Sequence, residues 1–330
     1  MDAASDGRGR PSYAKSYGIR ANGPQATAQG CLKNMPATLC ALFVLTTVDA
    51  QRITPFKLFK GGKSKGGTLL QGFDVITTPG EVVFLKAMLS RVVTSGRSEP
   101  LSRKKIYFSL AGQRLGQALT SETGIAGVKY AAPKAGDYRI GLTTSRRNAT
   151  RITDASLLVR VVDSRAFVLM VDVEKVLHDS SSVRFPFVPN AELPSMPLAK
   201  GTLAALAETR SLVYISSSDG SHIGKIKEWL ALRRMPVAPV LCWDLPGSPE
   251  KASVRKTERI RALASTFPNI LGGIGNRRAD AEALNKIGLA AYIISQTPID
   301  KSELANCEVF TDWRGMMSWF SRNKRFKTLP

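Results

Sequence analysis

Five side chains in the second half of the chain could act together on a phosphate group. In chain order they are Asp172, Glu174, Ser216, Lys256 and Asp280. One carboxylate of such a set can attack phosphorus while a magnesium ion neutralises the charge. A hydroxyl and an ammonium group can hold the transferring oxygens. The residue types therefore suit phosphoryl transfer through an aspartyl-phosphate, provided that the fold brings them together.

Alternating strands and helices after residue 164 must position these side chains. Strands are predicted over 167–171, 212–215, 239–242, 270–274 and 290–294, and helices over 199–208, 223–232, 256–267 and 280–287. This alternation predicts an α/β (Rossmannoid) parallel sheet with helices on both faces. Functional residues of such sheets lie at the carboxyl ends of the strands, which is where the five side chains fall.

Four short motifs around these residues resemble those of the haloacid-dehalogenase-like (HAD) superfamily, closest to the C-terminal domains of lipin-type phosphatidate phosphatases. The motifs are Asp172-x-Glu174, Tyr214-Ile215-Ser216, the step from Lys256 to Phe267-Pro268, and Gly275-Asn276-Arg277-Arg278-Ala279-Asp280 followed by Gly288-Leu289. The resemblance covers roughly 130 residues, and it is specific as a combination rather than in any single motif.

The resemblance implies a role for each of the five residues. Asp172 would be the nucleophile and a magnesium ligand, and Asp280 would help to hold the same Mg²⁺. Ser216 and Lys256 would bind the phosphate. Glu174 would protonate the leaving oxygen and then activate water. The implied function is a magnesium-dependent phosphatase for a phosphate monoester, with phosphatidate as the substrate that the family suggests.

Glu174 departs from the family pattern, which has aspartate as the second acid of the first motif. Glutamate keeps the acid–base chemistry, but its additional methylene moves the carboxyl by roughly an ångström, a misplacement that can cost about 100-fold in rate. Two alternatives stay open. The domain is an active enzyme with a variant acid, or it is a catalytically inactive binding or adhesion protein that recognises a phosphorylated or anionic ligand.

The first half of the chain shows short strands, about ten residues apart, with no helix between them. This spacing predicts an all-β sandwich. Turn residues in Thr78-Pro79-Gly80-Glu81, in 116–124 and in Ala135-Gly136-Asp137-Tyr138 resemble those of bacterial immunoglobulin-like domains. The predicted organisation is a leader over 1–50, a basic Gly-rich linker over 51–68, a sandwich over 69–163 and a HAD-like domain over 164–330.

The leader contains a lysine, a short apolar run over 37–48 and a terminal Ala50. This order fits a secretory signal peptide cleaved after Ala50 and predicts a secreted or periplasmic protein. The run lies far from Met1, however, and is equally compatible with a buried strand. A cytoplasmic location is therefore the alternative.

The net charge is +21, and residues 51–163 hold 19 Lys/Arg against 7 Asp/Glu. By itself this charge is more typical of a solvated basic surface, and attraction to an acidic partner is the alternative. Candidate partners are a phosphorylated small molecule, a phospholipid or an anionic membrane surface. Nucleic acid is disfavoured, because no basic-and-aromatic motif accompanies the charge. Four cysteines without a CxxC pair argue against a zinc site, and two histidines give poor support for a His-dependent triad.

Overall fold

The computed structural model describes residues 67–94, 97–145, 155–243 and 252–323. The predicted leader, with its signal-peptide cleavage after Ala50, lies outside the described residues, as do residues 51–66 of the predicted linker. Both stay predictions. Within the described ranges, no helix has the length and apolar character needed to cross a membrane.

Strands and the turns that connect them make up the described residues before 162. They are β1 (Thr68–Phe73), β2 (Val75–Thr77), β3 (Val82–Thr94), β4 (Arg97–Pro100), β5 (Lys105–Leu110), β6 (Gln113–Leu119), β7 (Ile125–Ala131), β8 (Gly136–Thr144) and β9 (Ala155–Val161). One sheet has the order β1-β3-β4, with β7 also paired to β3. The other has the order β2-β9-β8-β5-β6. The neighbours are antiparallel except β2 and β9, which run parallel.

Side chains from both sheets fill one hydrophobic core. Leu85 and Leu89 of β3 contribute from one sheet, and Ile106 and Phe108 of β5 from the other, all with no exposed surface. Successive strand residues point to opposite faces, so the period-two alternation over 81–89 places every second side chain in this core. The two packed sheets agree with the predicted sandwich.

Three strands of this region, β1, β4 and β6, do not appear in the sequence prediction. The segment 116–124 was expected to be a turn between strands, but its first residues belong to β6, which pairs antiparallel with β5. That expectation is wrong for 116–119. The strand lies at the edge of its sheet, and its side chains are exposed or half-buried. An edge strand with so little buried surface leaves a weak alternation in the sequence.

Strands and helices alternate through the second region. The strands are β10 (Val168–Asp172), β11 (Ser211–Asp219), β12 (Val240–Trp243), β13 (Ile270–Gly275), β14 (Ala290–Ile294) and β15 (Cys307–Phe310). The helices are α1 (Ala199–Ala207), α2 (Ile223–Leu232), α3 (Ala252–Thr266), α4 (Arg278–Asn285) and α5 (Trp313–Arg322). The sheet has the order β12-β11-β10-β13-β14-β15, and all its neighbouring strands run parallel.

Helices cover both faces of this parallel sheet. Leu169 and Val171 of the central strand β10 belong to a core cluster shared with α1, α2 and α5. Val168 and Met170 belong to a second cluster shared with α3 and α4. All five residues of β10 are buried, as expected for a strand covered on both sides. The predicted parallel sheet with helices on both faces is confirmed.

Two helix starts differ from the prediction. Lys256 was expected to begin its helix but lies inside α3, which begins at Ala252. Asp280 was also expected to begin a helix but lies in the first turn of α4, which begins at Arg278. A helix start is poorly marked when no Ser, Thr, Asp or Asn with a capping side chain precedes the apolar positions, and Arg277 precedes α4. Both side chains still reach the carboxyl edge of the sheet.

The two regions are joined by the buried carboxylate of Asp74, which follows β1. Its Oδ1 accepts hydrogen bonds from Lys227 Nζ of α2 at 2.6 Å and from the Leu158 amide of β9 at 2.7 Å. Its Oδ2 accepts from the amide of Val240 at 3.0 Å. Phe73 also packs in the core cluster that contains α1, α2 and α5. The sandwich therefore supports α2, the helix that follows the Ser216 segment.

Candidate functional site

The carboxyl edge of the parallel sheet holds all five residues singled out from the sequence. Asp172, Glu174, Ser216, Lys256 and Asp280 are each buried, with at most 7% of the residue exposed. Asp172 ends β10 opposite Ile215 of β11, so Ser216 occupies the next position along that strand. The five fall into two hydrogen-bonded groups, here named the lysine cluster (Asp172, Lys256 and Asp280) and the serine cluster (Glu174 with Ser216, Ser217 and Ser218).

Lys256 bridges two carboxylates in the lysine cluster. Its Nζ lies 2.7 Å from Asp172 Oδ2 and 2.7 Å from Asp280 Oδ1. Both contacts are charge-assisted hydrogen bonds between buried groups, the strong kind. The ammonium group therefore fixes the carboxylate of β10 relative to that of α4.

Asp280 is held from a second side by backbone amides. Its Oδ2 accepts hydrogen bonds from the amides of Asn276 and Arg277, each at 3.1 Å. A Cβ added to Gly275 would lie 2.7 Å from Cβ of Asp280, so only glycine fits there without movement. The Gly275–Asp280 segment is thus a compact turn that aims one carboxylate at Lys256.

The two aspartates of the lysine cluster differ in pKa, although each lies equally close to Lys256. Burial raises the pKa of Asp172 to about 7, opposed by Lys256 and assisted by the charges of Asp280 and Glu174. Burial also acts to raise the pKa of Asp280, but Lys256, Arg277 and the backbone donors outweigh it and hold that pKa below its usual value. Burial acts to lower the pKa of Lys256, and the two carboxylates outweigh it in the upward direction.

This asymmetry has a structural cause in the second oxygen of each carboxylate. Asp280 Oδ2 has two backbone donors, whereas Asp172 Oδ1 is buried and has no hydrogen-bond partner. A buried acceptor without a partner is costly and needs an explanation, such as a ligand that completes it. Asp172 Oδ1 is therefore the atom of the site best suited to take a cation.

The serine cluster surrounds the carboxylate of Glu174 with neutral donors. Its Oε1 accepts from the hydroxyls of Ser216, at 2.5 Å, and Ser218, at 3.0 Å. Its Oε2 accepts from the amide of Ser217 at 3.1 Å. The hydroxyl of Ser216 in turn accepts from the amide of Ser218 at 3.0 Å. The Glu174 side chain therefore points at the segment that was predicted to bind phosphate.

A tight turn after β10 sets the position of Glu174. Lys175 adopts a left-handed backbone conformation with φ of 62°, which reverses the chain directly after Glu174. His178, in the same turn, is fully buried, stacks on Phe185 at 5.0 Å between ring centroids and accepts from the amide of Ser180. The packing of His178 therefore holds this turn in place.

The site fits a divalent cation in part. Among the described residues, no group of three or more His, Cys, Asp or Glu side chains is placed to hold a metal ion. Asp172 Oδ1 can bind a cation. Both oxygens of Asp280, however, already accept hydrogen bonds, from Lys256 and from two backbone amides. Asp280 could become a ligand only by exchanging one of these hydrogen bonds.

A small cavity of about 20 Å³ lies against the lysine cluster. Its lining includes Asp172, Lys256 and Asp280, with apolar side chains such as Ile215 and Leu284 on the other sides. This volume holds a single water molecule. It is too small for a phosphate group.

Sequence reasoning missed Ser217 and Ser218, whose amide and hydroxyl contact Glu174. The run Ser216-Ser217-Ser218 also has the composition of an ordinary turn, so it gives little signal by itself. The hydrogen bonds that the backbone amides of Asn276 and Arg277 donate to Asp280 could not be predicted either, because every residue except proline carries a backbone amide.

No model of a known protein family matches the chain. No curated protein matches it either. The family of the chain is therefore not shown by either comparison.

Solved structures resemble separate parts of the chain. A haloacid dehalogenase-like hydrolase from Streptococcus pneumoniae is 12% identical, with a TM-score of 0.35, over 48% of this chain and 99% of that one. The CARDB domain of a Pyrococcus furiosus protein is 14% identical, with a TM-score of 0.23, over 30% of this chain and 90% of that one. Fibronectin(III)-like modules from Clostridium thermocellum CbhA are 14% identical, with a TM-score of 0.21, over 29% of this chain and 96% of those modules.

These neighbours include both kinds of protein that the sequence resembles, a HAD-like hydrolase and immunoglobulin-type domains. Their identities and TM-scores are too low to support any argument about activity. The finer resemblance to lipin-type enzymes stays a prediction from the sequence motifs.

Proposed function

We propose that the chain is a phosphoric monoester hydrolase in which Asp172 attacks phosphorus. The observation that supports this most directly is the state of the Asp172 carboxylate. Lys256 orients it through Oδ2, and its buried Oδ1 has no hydrogen-bond partner. A carboxylate held in one orientation with unused acceptor capacity suits nucleophilic catalysis.

The proposed reaction has two displacements. An oxygen of Asp172 forms a bond to phosphorus as the ester P–O bond breaks, and Glu174 gives a proton to the departing alkoxide. Water then attacks the phospho-aspartate while Glu174 takes a proton from that water, which releases inorganic phosphate and restores Asp172. Lys256 and Ser216 donate hydrogen bonds to the phosphoryl oxygens throughout. In this role Glu174 must turn away from Ser216.

Magnesium would be the resident cation of this site, and Asp172 and, after exchange of a hydrogen bond, Asp280 would hold it, with Asp172 using the carboxylate oxygen that does not attack phosphorus. When bound, it supplies charge neutralisation at the phosphoryl group. Phosphatidate is the substrate that the sequence resemblance suggests, and the basic surface would favour its anionic head group.

Release of inorganic phosphate tests the proposal. The purified chain is assayed with Mg²⁺ on p-nitrophenyl phosphate and on phosphatidate vesicles, with and without excess chelator. Asp172→Asn removes the nucleophile, and the rate should fall at least about 1000-fold. Lys200→Ala, at an exposed position of α1, is the matched control and should keep the parent rate. Equal rates in the parent and Asp172→Asn would assign the activity to a contaminant.

The second candidate function is binding of a phosphorylated or anionic ligand without turnover. The observation that favours it is the engagement of both carboxylate oxygens of Glu174 with Ser216, Ser217 and Ser218, which leaves the proposed acid bound to protein donors. A chain that binds a phosphoester analogue but releases no phosphate with any metal would support this candidate. It would rule out the enzyme.

A further inference from the structure

The carboxylate of Glu174 lies in a cradle of hydrogen-bond donors. Two hydroxyls, from Ser216 and Ser218, and the amide of Ser217 converge on its two oxygens at 2.5–3.1 Å. All three donors are neutral. Such a set binds an oxyanion, and a phosphoryl group presents the same kind of oxygen acceptor at similar spacing.

We infer that Glu174 is an intramolecular competitor of the phosphate group: its carboxylate occupies the donor cradle and must be displaced before a phosphoryl oxygen can bind there. The identification of phosphate as the displacing anion rests on the proposed function. The occupied cradle itself rests only on the contacts of Glu174. The site therefore has a closed state, with the cradle filled from within, and an open state that accepts ligand.

The length of the glutamate side chain makes this competition possible. Glu174 lies two residues after the end of β10. Its side chain reaches across to β11, where Ser216 and Ser218 lie. Aspartate at this position is one methylene shorter and would withdraw the carboxylate from the hydroxyls. The left-handed turn at Lys175 and the buried His178 hold the backbone of this segment in place. The competition therefore depends on the side chain rather than on movement of the backbone.

Competition of this kind weakens the apparent binding of phosphate. The apparent dissociation constant is the intrinsic one divided by the fraction of molecules in the open state. If the cradle is open in one molecule in ten, phosphate binds about tenfold more weakly than to a permanently open cradle. Emptying the cradle by Glu174→Ala should therefore tighten binding of inorganic phosphate about tenfold or more. Glu174→Asp keeps the negative charge but opens the cradle, so it should also bind more tightly than the parent.

Isothermal titration of inorganic phosphate into the full chain tests the inference, with thermal unfolding as the check that each variant is folded. The expected result is tighter binding to Glu174→Ala and Glu174→Asp, with the gain lost when Ser216→Ala and Ser218→Ala are added. A gain in Glu174→Ala alone would show that charge removal is the cause and would overturn the inference. Equal affinities, or no phosphate binding by any variant, would also overturn it.

The same titration separates this inference from the proposed function, because it needs no turnover. Tighter phosphate binding in both Glu174 variants, without hydrolysis of any monoester, would leave the competition standing and reject the enzyme. Hydrolysis by the parent, with unchanged phosphate affinity in the variants, would leave the enzyme standing and reject the competition.

Discussion

The lysine cluster and the serine cluster hold buried carboxylates in opposite ways. In the lysine cluster, a single ammonium group lies between two aspartates at 2.7 Å from each. In the serine cluster, one glutamate is held by hydroxyls and an amide. Ionic pairing fixes Asp172 and Asp280 firmly, since separating them from Lys256 would leave bare charges in the interior. Neutral donors can be satisfied by any oxyanion, so the proposed competition makes Glu174 the exchangeable member of the site.

The largest difference between the clusters should appear when Lys256 is replaced by methionine. This change leaves two carboxylates buried without a cation, and we expect the free energy of unfolding to fall by about 3–5 kcal/mol. Urea unfolding followed by circular dichroism measures it. Lys200→Met, at an exposed position of α1, is the control and should change stability by less than about 0.5 kcal/mol. A small effect at Lys256 would mean that the aspartates are neutral or solvated in the folded protein.

A smaller loss is expected when the serine cluster is broken at Ser216. Ser216→Ala removes one charge-assisted hydrogen bond to Glu174 and should lower the free energy of unfolding by about 1.5–3 kcal/mol. In the Glu174→Ala background, the same substitution should cost much less, because its charged partner is gone. A double-mutant cycle by urea unfolding measures this coupling. Additive losses would show that Ser216 stabilises the fold independently of Glu174.

The turn that carries Glu174 should make the protein sensitive to acid through His178. Burial lowers the pKa of His178 to about 4 in the folded state, whereas its ordinary value is about 6.5. The unfolded chain therefore binds more protons below pH 6.5, and stability is lost as the pH falls through the window from about 6.5 to 4. At pH 5 the loss from this residue should be about 2 kcal/mol relative to neutral pH.

Comparison with His178→Gln isolates this contribution, whatever the variant costs at neutral pH. In urea unfolding at several pH values, the free energy of unfolding of the variant should fall by about 2 kcal/mol less than that of the parent between neutral pH and pH 5. His222, whose pKa burial also lowers, remains in both proteins and so cancels in the difference. Parallel pH profiles would show that His178 is not buried as a neutral ring.

The close approach of Gly275 to Asp280 gives a further test of the lysine cluster. Gly275→Ala places a methyl group against Asp280, and we expect a loss of about 1–3 kcal/mol in the free energy of unfolding, together with weaker binding of Mg²⁺. Gly201 is the matched control, because a Cβ there meets no atom within 4 Å. Gly201→Ala lies in α1 and should stabilise the chain by about 0.4–1 kcal/mol. Thermal unfolding with and without Mg²⁺ compares the pair.

Local patterns were enough to predict the parallel sheet, although β15 was not predicted and β11 continues to Asp219, so Ser216 lies inside that strand rather than after its end. The continuous apolar run of β10 indicates a strand that is buried on both faces, and the alternation in β3 indicates a strand that is buried on one face. The edge strand β6 buries too few side chains to show either pattern in the sequence. Lys256 was placed on the right helix but at the wrong position in it, because the helix-start signal Ser248-Pro249-Glu250 upstream was not used.

The division of the site into two clusters could not be predicted from the sequence. Motif spacing places Asp172, Glu174 and Ser216 at neighbouring strand ends, but it does not say which way a flexible glutamate points. That direction depends on the backbone conformation of Lys175 and on three donors in another strand, a property of the folded chain. The difference between glutamate and aspartate marked this position in the sequence, and the structure adds that the glutamate contacts Ser216, Ser217 and Ser218.

The buried carboxylate of Asp74 has a consequence for how this protein can be divided. A protein cut after residue 163 would strip Lys227 of its counter-ion and uncover Phe73, because Asp74 and Phe73 belong to the sandwich side of the cut while their partners lie on the other side. The two regions are separate in sequence pattern but share these buried contacts. Each region is therefore expected to be less stable when it is expressed alone, and changes near Asp74 can alter α2, the helix that follows the serine cluster.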